Sequence, residues 1–167
     1  MSTFVSVGNA TQPFPRLLNA VAAIAAGLPQ PVIIQYGAAK GFTAPQCQCV
    51  DYLGMQEFEA NVSAAAVLIL HAGAGSVIHA IRTGKVPVVV PRQAGNNEHV
   101  DDHQQEFARE LERLGRIVVC RDMEHLAQSV STAADLQSSI VAAGSELPLV
   151  SAMRLLLQQH EQEIAGL

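Results

Sequence analysis

A turn rich in glycine follows one of the most hydrophobic stretches of the chain. It reads His71-Ala72-Gly73-Ala74-Gly75-Ser76 and comes directly after residues 67–70. Gly73 and Gly75 would let the backbone approach a diphosphate closely, and Ser76 could donate to a phosphate oxygen. A plain tight turn, with Ser76 as the N-cap of the next helix, fits the pattern equally well. His71 is either a structural histidine bonded to nearby backbone or a ligand-binding side chain.

A second polar cluster begins a predicted helix after the loop at 91–99. It consists of Asp102, His103, Gln104 and Gln105. A carboxylate, an imidazole and two amides offer directed donors and acceptors, which suits recognition of a hydroxyl-rich molecule. A solvated helix start with an aspartate as its cap is the simpler interpretation. Asp102 and His103 also resemble a general-base pair, but the sequence places no nucleophile beside them.

The spacing of other residues argues against several common sites. A dinucleotide fingerprint would need a third glycine where Ile78 stands, so a nicotinamide oxidoreductase is disfavoured. The P-loop pattern is absent, because Gly84-Lys85 is followed by a valine. His99 and His103 are four residues apart but lack a third ligand at metal spacing. We therefore expect no metal and no cofactor.

Short apolar runs alternate with longer amphipathic stretches along the chain. The predicted strands cover 4–7, 32–35, 47–53, 67–70, 86–90 and 117–120, and the predicted helices cover 14–26, 55–63, 76–83, 100–114, 123–133 and 149–165. This alternation predicts right-handed crossovers and a parallel sheet. The strands are nearly continuous in Val, Ile and Leu, as expected when helices cover both faces. The predicted fold class is α/β, with a Rossmann-like parallel sheet and helices on both faces.

Ligands of open parallel sheets bind outside the carboxyl ends of the strands. The turns at Gly8-Asn9, at Gly37-Ala38 and at 73–76 each follow a predicted strand, so they would gather at that edge. Helices that start there present free backbone N–H groups and the positive end of the helix dipole. An anion, above all a phosphate, is the natural ligand.

Composition and charge restrict the partners and the compartment. The 167 residues predict one domain, 1–167, and the net charge of −5 without a basic run argues against nucleic acid. Three cysteines without a basic leader segment indicate reduced thiols in the cytoplasm. No apolar stretch approaches the ~20 residues of a membrane span, so no direct span is expected.

The motifs taken together resemble the nucleotide-sugar-binding C-terminal half of GT-B glycosyltransferases of the MurG type. They are Phe4-Val5-Ser6-Val7-Gly8 with Pro13-Phe14 and Arg16-Leu17, Ile34-Gln35-Tyr36-Gly37, the turn at 71–76, Gly84-Lys85-Val86-Pro87, and Asn97-Glu98-His99 with the cluster at 102–105. The resemblance covers residues 4–130 in order and spacing. It is nearest to small subunits of split enzymes, namely PssE-type bacterial polysaccharide proteins and the eukaryotic subunit that helps to add the second N-acetylglucosamine to dolichol diphosphate.

The resemblance implies a single GT-B half-domain that binds a UDP-sugar. Gly8, Asn9 and the turn at 71–76 would hold the diphosphate, residues 50–58 would lie near the uracil, and the cluster at 102–105 would read the sugar. Two positions depart from the family pattern. Asn9 replaces a threonine that contacts phosphate, and His79 replaces a carboxylate that faces the ribose. These departures keep open an alternative function, a binding or assembly protein that has lost turnover.

The resemblance also implies a partner, because a GT-B enzyme has two Rossmann-like halves and this chain matches one. A membrane-anchored partner would supply the acceptor site and the general base, so no catalytic residue is assigned here. The expected function is that of the UDP-sugar-binding subunit of an inverting glycosyltransferase that acts on a lipid-diphosphate-linked acceptor. The expected location is cytoplasmic, at the inner face of a membrane. The segment 149–167 is a predicted helix that docks the partner or folds back onto its own sheet.

Overall fold

The computed structural model describes residues 2–98 and 103–142, and its centre is a parallel sheet of six strands. The strands are β1 Ser2–Ser6, β2 Val32–Gln35, β3 Cys47–Val50, β4 Ala65–His71, β5 Val88–Val90 and β6 Val118–Val119. They lie in the order β3-β2-β1-β4-β5-β6, which is the order of doubly wound nucleotide-binding sheets. The predicted Rossmann-like parallel sheet is confirmed. The direction of winding reverses between β1 and β4, so the switch point lies at the ends of these two strands.

Helices cover both faces of the sheet, as the continuous apolar strands predict. The helices are α1 Pro15–Ile24, α2 Met55–Ala64, α3 Ala74–Arg82, α4 His103–Arg113 and α5 Leu126–Ala142, with short 3-10 turns at Ala25–Gly27, Ala94–Asn96 and Met123–His125. One core cluster joins α1 and α5 to Val5, Ile69 and Val88 of the sheet. On the opposite face, two clusters join α2, α3 and α4 to Phe4, Leu70 and Val89. No described helix is long and apolar enough to cross a membrane.

Several predicted elements differ from the structure by one or two residues at an end, and the strand predicted at 47–53 ends three residues earlier, at Val50. Two further differences have a clear physical reason. The helix predicted at 123–133 begins three residues later and runs to Ala142. It continues because Leu136 and Ile140 repeat at helical spacing against the α1 side of the core. The strand predicted at 86–90 starts only at Val88, since Pro87 has no N–H for the ladder and the amide of Val86 donates to Gln137 Oε1 at 2.8 Å.

Two other predictions fall partly or wholly outside the described residues. The helix predicted at 100–114 is described from His103, and its first residues belong to the segment 99–102, which the structure does not describe. The predicted docking helix at 149–167 lies entirely outside the described residues.

Candidate functional site

A cleft of about 600 Å³ opens at the carboxyl ends of β1, β2 and β4, between α2 and α3. It is lined by Ser6, Gly8, Asn9, Gln35, His71, Gly73, Ala74, Gly75 and Ser76 at the edge of the sheet, and by Leu53, Met55, Phe58, Glu59, Ile78, His79 and Arg82 along the helices. Seven of the predicted site residues, Gly8, Asn9, His71 and 73–76, therefore meet in one cavity at the switch point. That they bind a ligand stays a prediction.

The imidazole of His71 lies between Gly8 and Gly73. A β-carbon on either glycine would collide with the ring, on the side of its Cε1 and Nε2 atoms. Gly8 also has a φ of +75°, which strongly favours glycine. The opposite side of the ring faces β1, with Nδ1 3.4 Å from the carbonyl oxygen of Ser6. Both glycines are thus required by the position of His71, a reason that the sequence alone does not reveal.

Gly75 differs from these two glycines because it has open space around it. A β-carbon built there would have no neighbour within 4 Å, and its φ is not in the left-handed region. Nothing in the described fold therefore requires glycine at 75. The open space faces the cleft that Gly75 lines, which leaves room for a ligand to come close to the backbone.

The prediction that Ser76 caps the helix is wrong. Helix α3 begins at Ala74 with Gly73 as its N-cap, and no side chain bonds to the cap. Ser76 therefore lies in the first turn of the helix, and it lines the cleft. The first turn of α3 has no acidic residue, so the positive end of the helix dipole is left for an anion in the cleft.

Asn9 is held by a chain of polar side chains from two neighbouring strands. Ser6 Oγ donates to Gln35 Oε1 at 2.7 Å, and Gln35 Nε2 donates to Asn9 Oδ1 at 3.2 Å. The amide of Gly8 donates to Ser6 Oγ at 3.2 Å. The oxygen of Asn9 accepts this hydrogen bond, and the amide nitrogen of the same side chain is the donor that a phosphate could use. Asparagine can therefore take the place of a threonine as a donor at this position.

The helical walls of the cleft combine apolar and polar side chains. Phe58 packs against Phe4 edge to face, with ring centroids 5.5 Å apart, and lies 6.1 Å from the ring of His79. His79 Nδ1 lies 3.9 Å from Glu59 Oε1 across the gap between α3 and α2. The other ring nitrogen of His79 is buried and has no hydrogen-bond partner in the part of the chain that the structure describes.

Gln104 and Gln105 are outside the lining of this cleft. Both are half-buried in the first turn of α4, and Gln104 Oε1 accepts a hydrogen bond from the amide of Arg92 at 3.3 Å. They therefore stand beyond the end of β5. Asp102 lies outside the described residues, as does the side chain of His103. The structure thus brings together the glycine turns, and it places the two described glutamines of the second cluster beside another strand.

The chain is similar to known glycosyltransferases in sequence. The glycosyltransferase family 28 C-terminal domain matches residues 2–155. The chain belongs to this family.

Two curated relatives of this family 28 chain carry the name UDP-N-acetylglucosamine transferase subunit ALG13. The one from Yarrowia lipolytica is 44% identical over 64 residues, which cover 38% of this chain and 31% of that protein. The one from Eremothecium gossypii is 30% identical over 169 aligned residues, which cover 77% of this chain and 80% of that protein. The predicted resemblance to small subunits of split enzymes is confirmed.

Solved structures confirm the GT-B fold. The calicheamicin glycosyltransferase CalG4 superposes with a TM-score of 0.61 at 20% identity, over 93% of this chain and 42% of that one. MurG of Acinetobacter baumannii superposes with a TM-score of 0.58 at 22% identity, over 81% of this chain and 43% of that one. The family 28 chain spans less than half the length of either protein, as expected of one half of a GT-B enzyme.

Four polar residues of the cleft are missing from the sequence-based site, namely Ser6, Gln35, Glu59 and Arg82. Ser6 and Gln35 carry a signal that could have been used, because each is a polar residue at the carboxyl end of an apolar strand. Glu59 and Arg82 carry no such signal in the sequence. Their place in the cleft depends on how α2 packs beside α3, which periodicity does not reveal.

Proposed function

We propose that this chain is the UDP-sugar-binding subunit of a two-component inverting glycosyltransferase that acts on a lipid-diphosphate-linked acceptor. The observation that carries the proposal is the cleft at the switch point, where both glycine turns meet the start of α3. This is the place at which parallel sheets bind nucleotides. The names of the curated relatives make UDP-N-acetylglucosamine the first donor to test.

The diphosphate of the donor would lie over the first turn of α3. Asn9 and residues 74–76 line this part of the cleft, so the backbone amides of 74–76, the hydroxyl of Ser76 and the amide nitrogen of Asn9 are the donors available to the diphosphate. In the reaction, the UDP leaving group gains negative charge as its bond to the sugar breaks. Donors and a helix dipole that are already oriented stabilise this charge without reorganisation. His71 lines the same part of the cleft, and the two glycines leave the space that its ring occupies.

The nucleoside would lie between α2 and α3. Leu53, Met55 and Phe58 provide an apolar wall for the base, and Met55 is 73% exposed, so a base could cover it. Glu59 would supply the carboxylate that the family has at the position of His79. Both residues line the cleft, and Glu59 Oε1 lies 3.9 Å from His79 Nδ1. A carboxylate at this place would accept hydrogen bonds from the ribose hydroxyls.

The sugar would extend from the diphosphate toward α4. Gln104 is anchored through the amide of Arg92, at the end of β5. Glutamine amides suit recognition of sugar hydroxyls because they donate and accept. In this proposal Asp102, His103, Gln104 and Gln105 distinguish a UDP-sugar from UDP.

The acceptor site and the general base would be provided by a membrane-anchored partner. The chain is equivalent to one half of a GT-B enzyme, and its curated relatives are named as subunits. The partner would hold this subunit at the cytoplasmic face of a membrane, where a lipid-linked acceptor is found. A non-catalytic nucleotide-sugar-binding or assembly protein is the second candidate, and the presence of Asn9 and His79 at two donor-binding positions favours it.

Calorimetric titration with UDP, UDP-N-acetylglucosamine and NAD tests the proposed donor. We expect the two uridine ligands to bind and NAD to bind much more weakly. Transfer of radiolabelled sugar to a lipid-diphosphate acceptor, with and without the membrane partner, then separates the two candidates. Binding without transfer in the presence of the partner favours the non-catalytic protein. Tight binding of NAD alone would contradict both.

A further inference from the structure

A completely buried arginine lies under the loops of the candidate site. Arg92 lies two residues after the end of β5 and is 0% exposed. Its guanidinium group donates to three backbone carbonyl oxygens: Val7 at 2.8 Å, Gln12 at 3.0 Å and Glu98 at 2.9 Å. The remaining nitrogen, Nε, is buried without a partner in the described part of the chain. Burial lowers the pKa of Arg92, and the nearby carboxylate of Glu98 partly opposes this shift.

The three acceptors belong to two separate loops. Val7 and Gln12 bracket the loop that follows β1 and carries Gly8 and Asn9, whereas Glu98 ends the described part of the loop that follows β5. One planar group therefore ties the two loops together over a sequence distance of 85 residues. The backbone amide of the same arginine donates to Gln104 Oε1. Arg92 is thus bonded to both ends of the segment that carries the Gly8–Asn9 turn and also to Gln104, although Gln104 does not line the cleft.

A second arginine reinforces this connection. Arg16, in the first turn of α1, makes a bidentate ion pair with Glu98, with both nitrogen–oxygen distances at 2.9 Å, and also donates to the carbonyl oxygen of Pro91. The phenyl ring of Phe14 lies close to both guanidinium groups, 4.6 Å from Arg92 and 5.3 Å from Arg16. We refer to Arg16, Arg92, Glu98 and Phe14 as the arginine network.

The arginine network holds two loops together at a cost in desolvation free energy. Desolvation of a guanidinium group is unfavourable, and apolar residues of similar volume often stabilise a fold as well or better. Planar, directed donors, in contrast, fix distance and orientation in a way that apolar packing does not. The network also contains two cations and one carboxylate, so one positive charge remains under the edge that would receive a diphosphate.

We propose that Arg92 is a positioning residue for the donor, which sets the distance between the Gly8–Asn9 turn and Gln104 so that one UDP-sugar can contact both. The inference rests on the proposed function, because it takes the diphosphate to bind at the first site and the sugar at the second. Arg92 itself has no exposed surface to offer a ligand. Its effect is therefore larger on a ligand that spans both parts than on UDP, which contacts one.

The test compares Arg92→Lys with the matched control Arg116→Lys. Arg116 is also a buried arginine, but it precedes β6 and so lies at the amino ends of the strands, away from the cleft. Lysine keeps the charge at both positions and loses the planar set of donors. Calorimetry gives the ratio of the dissociation constants for UDP and for UDP-N-acetylglucosamine. We expect Arg92→Lys to reduce this preference for the UDP-sugar about tenfold, a change within the usual range for residues whose effects are coupled. Arg116→Lys should leave the preference unchanged.

A double-mutant cycle distinguishes positioning from general loss of stability. Gln104→Ala should weaken binding of the UDP-sugar in the wild-type background and have little further effect in the Arg92→Lys background. A full and independent effect of Gln104→Ala in both backgrounds would overturn the inference, even if Arg92→Lys lowers the melting temperature. If Arg92→Lys does not fold, Arg16→Lys takes its place, because Arg16 is partly exposed and its bidentate pair holds the same loop. The same loss of preference, smaller in size, is expected.

Hydrogen exchange without any ligand separates failure of this inference from failure of the proposed function. In Arg92→Lys the amides of 7–12 and of 92–98 should exchange faster together, and in Arg116→Lys they should not. Faster exchange in only one loop would overturn the connection between them. Wild-type protein that binds neither UDP nor UDP-N-acetylglucosamine would instead overturn the proposed function and the role of Arg92 in donor binding, whatever the exchange rates show.

Discussion

The glycines of the site divide into two kinds with different consequences for substitution. Gly8 and Gly73 make room for the imidazole of His71, whereas Gly75 borders open space. A sequence pattern of two glycines at a turn treats Gly73 and Gly75 as equivalent. The structure shows that only the first has a role within the described fold, so substitutions can separate folding from ligand binding.

Gly73→Ala should destabilise the protein through contact with His71. The φ of Gly73 is −72°, so alanine introduces no backbone strain there, but its β-carbon would overlap the imidazole. Overpacking of this kind costs ~1–3 kcal/mol. In a His71→Ala background most of this cost should disappear, because the overlapping ring is gone. Urea unfolding of the four proteins measures it, and equal costs in both backgrounds would show that His71 is not the reason for glycine at 73.

Gly75→Val should leave the free energy of unfolding nearly unchanged and abolish nucleotide binding. The side chain has space in the free protein but would occupy the place of the diphosphate. Hydrogen bonds to charged groups are worth ~1.5–3 kcal/mol each, so loss of two or more should weaken binding over a hundredfold. Gly95→Val is the matched control, since Gly95 also has open space but does not line the cleft. A Gly75→Val protein that binds UDP normally would exclude a phosphate site at this turn.

Glu59→Gln should reduce the ability of the site to distinguish ribose from a sugar without hydroxyl groups. The wild-type protein should bind UDP about tenfold more tightly than 2′,3′-dideoxy-UDP. This difference in affinity corresponds to one hydrogen bond to a charged group. Glu59→Gln should lower this ratio, whereas Glu57→Gln should keep it, because Glu57 is bonded to Gly54 at the start of the same helix. Calorimetry with both nucleotides measures the two ratios. An unchanged ratio in Glu59→Gln would assign ribose recognition to another residue.

At the scale of elements, the sequence predicts the sheet well and the site in part. Alternating apolar runs and amphipathic stretches suffice for a parallel sheet, and the three turns with glycine follow strands as expected. Strand order is a different matter. Because β2 lies beside β1, Gln35 comes within hydrogen-bond distance of both Ser6 and Asn9. No pattern within either strand reveals that they are neighbours, so this group of polar residues is found only in the structure.

The longer α5 gives a direct test of the fold at this scale. Leu136 lies in the part of the helix that periodicity did not predict and packs against the core cluster of α1, whereas Val141 is 70% exposed. Leu136→Ala should lower the free energy of unfolding by ~1–3 kcal/mol, at the low end for large-to-small core changes because the side chain is half-buried. Val141→Ala should change it by less than ~0.5 kcal/mol. Urea denaturation of both variants checks this, and equal small effects would indicate that 134–142 does not pack on the core.

At the scale of the whole molecule, the described fold corresponds to less than half of the solved glycosyltransferases that it resembles. The described residues form one Rossmann-like sheet, and the chain matches 42–43% of the length of two solved glycosyltransferases. A net charge of −5 gives no attraction to an anionic membrane surface, which binds basic segments. In the proposed function, a membrane-anchored partner therefore brings the lipid-linked acceptor to the cleft.

We therefore expect that the chain alone binds UDP-N-acetylglucosamine, does not sediment with anionic vesicles and transfers no sugar to a lipid-diphosphate acceptor in them. Adding the membrane-anchored partner to the same vesicles should bring the protein to the membrane and start transfer, because the partner supplies both the acceptor site and the base that deprotonates the acceptor hydroxyl. Gly75→Val is the control here: it should still be recruited but remain inactive, since it lacks only the donor site. Sedimentation and radiolabel transfer are measured on the same samples. Transfer by the purified chain without a second polypeptide would contradict the two-component enzyme directly, and recruitment without transfer would favour the non-catalytic protein.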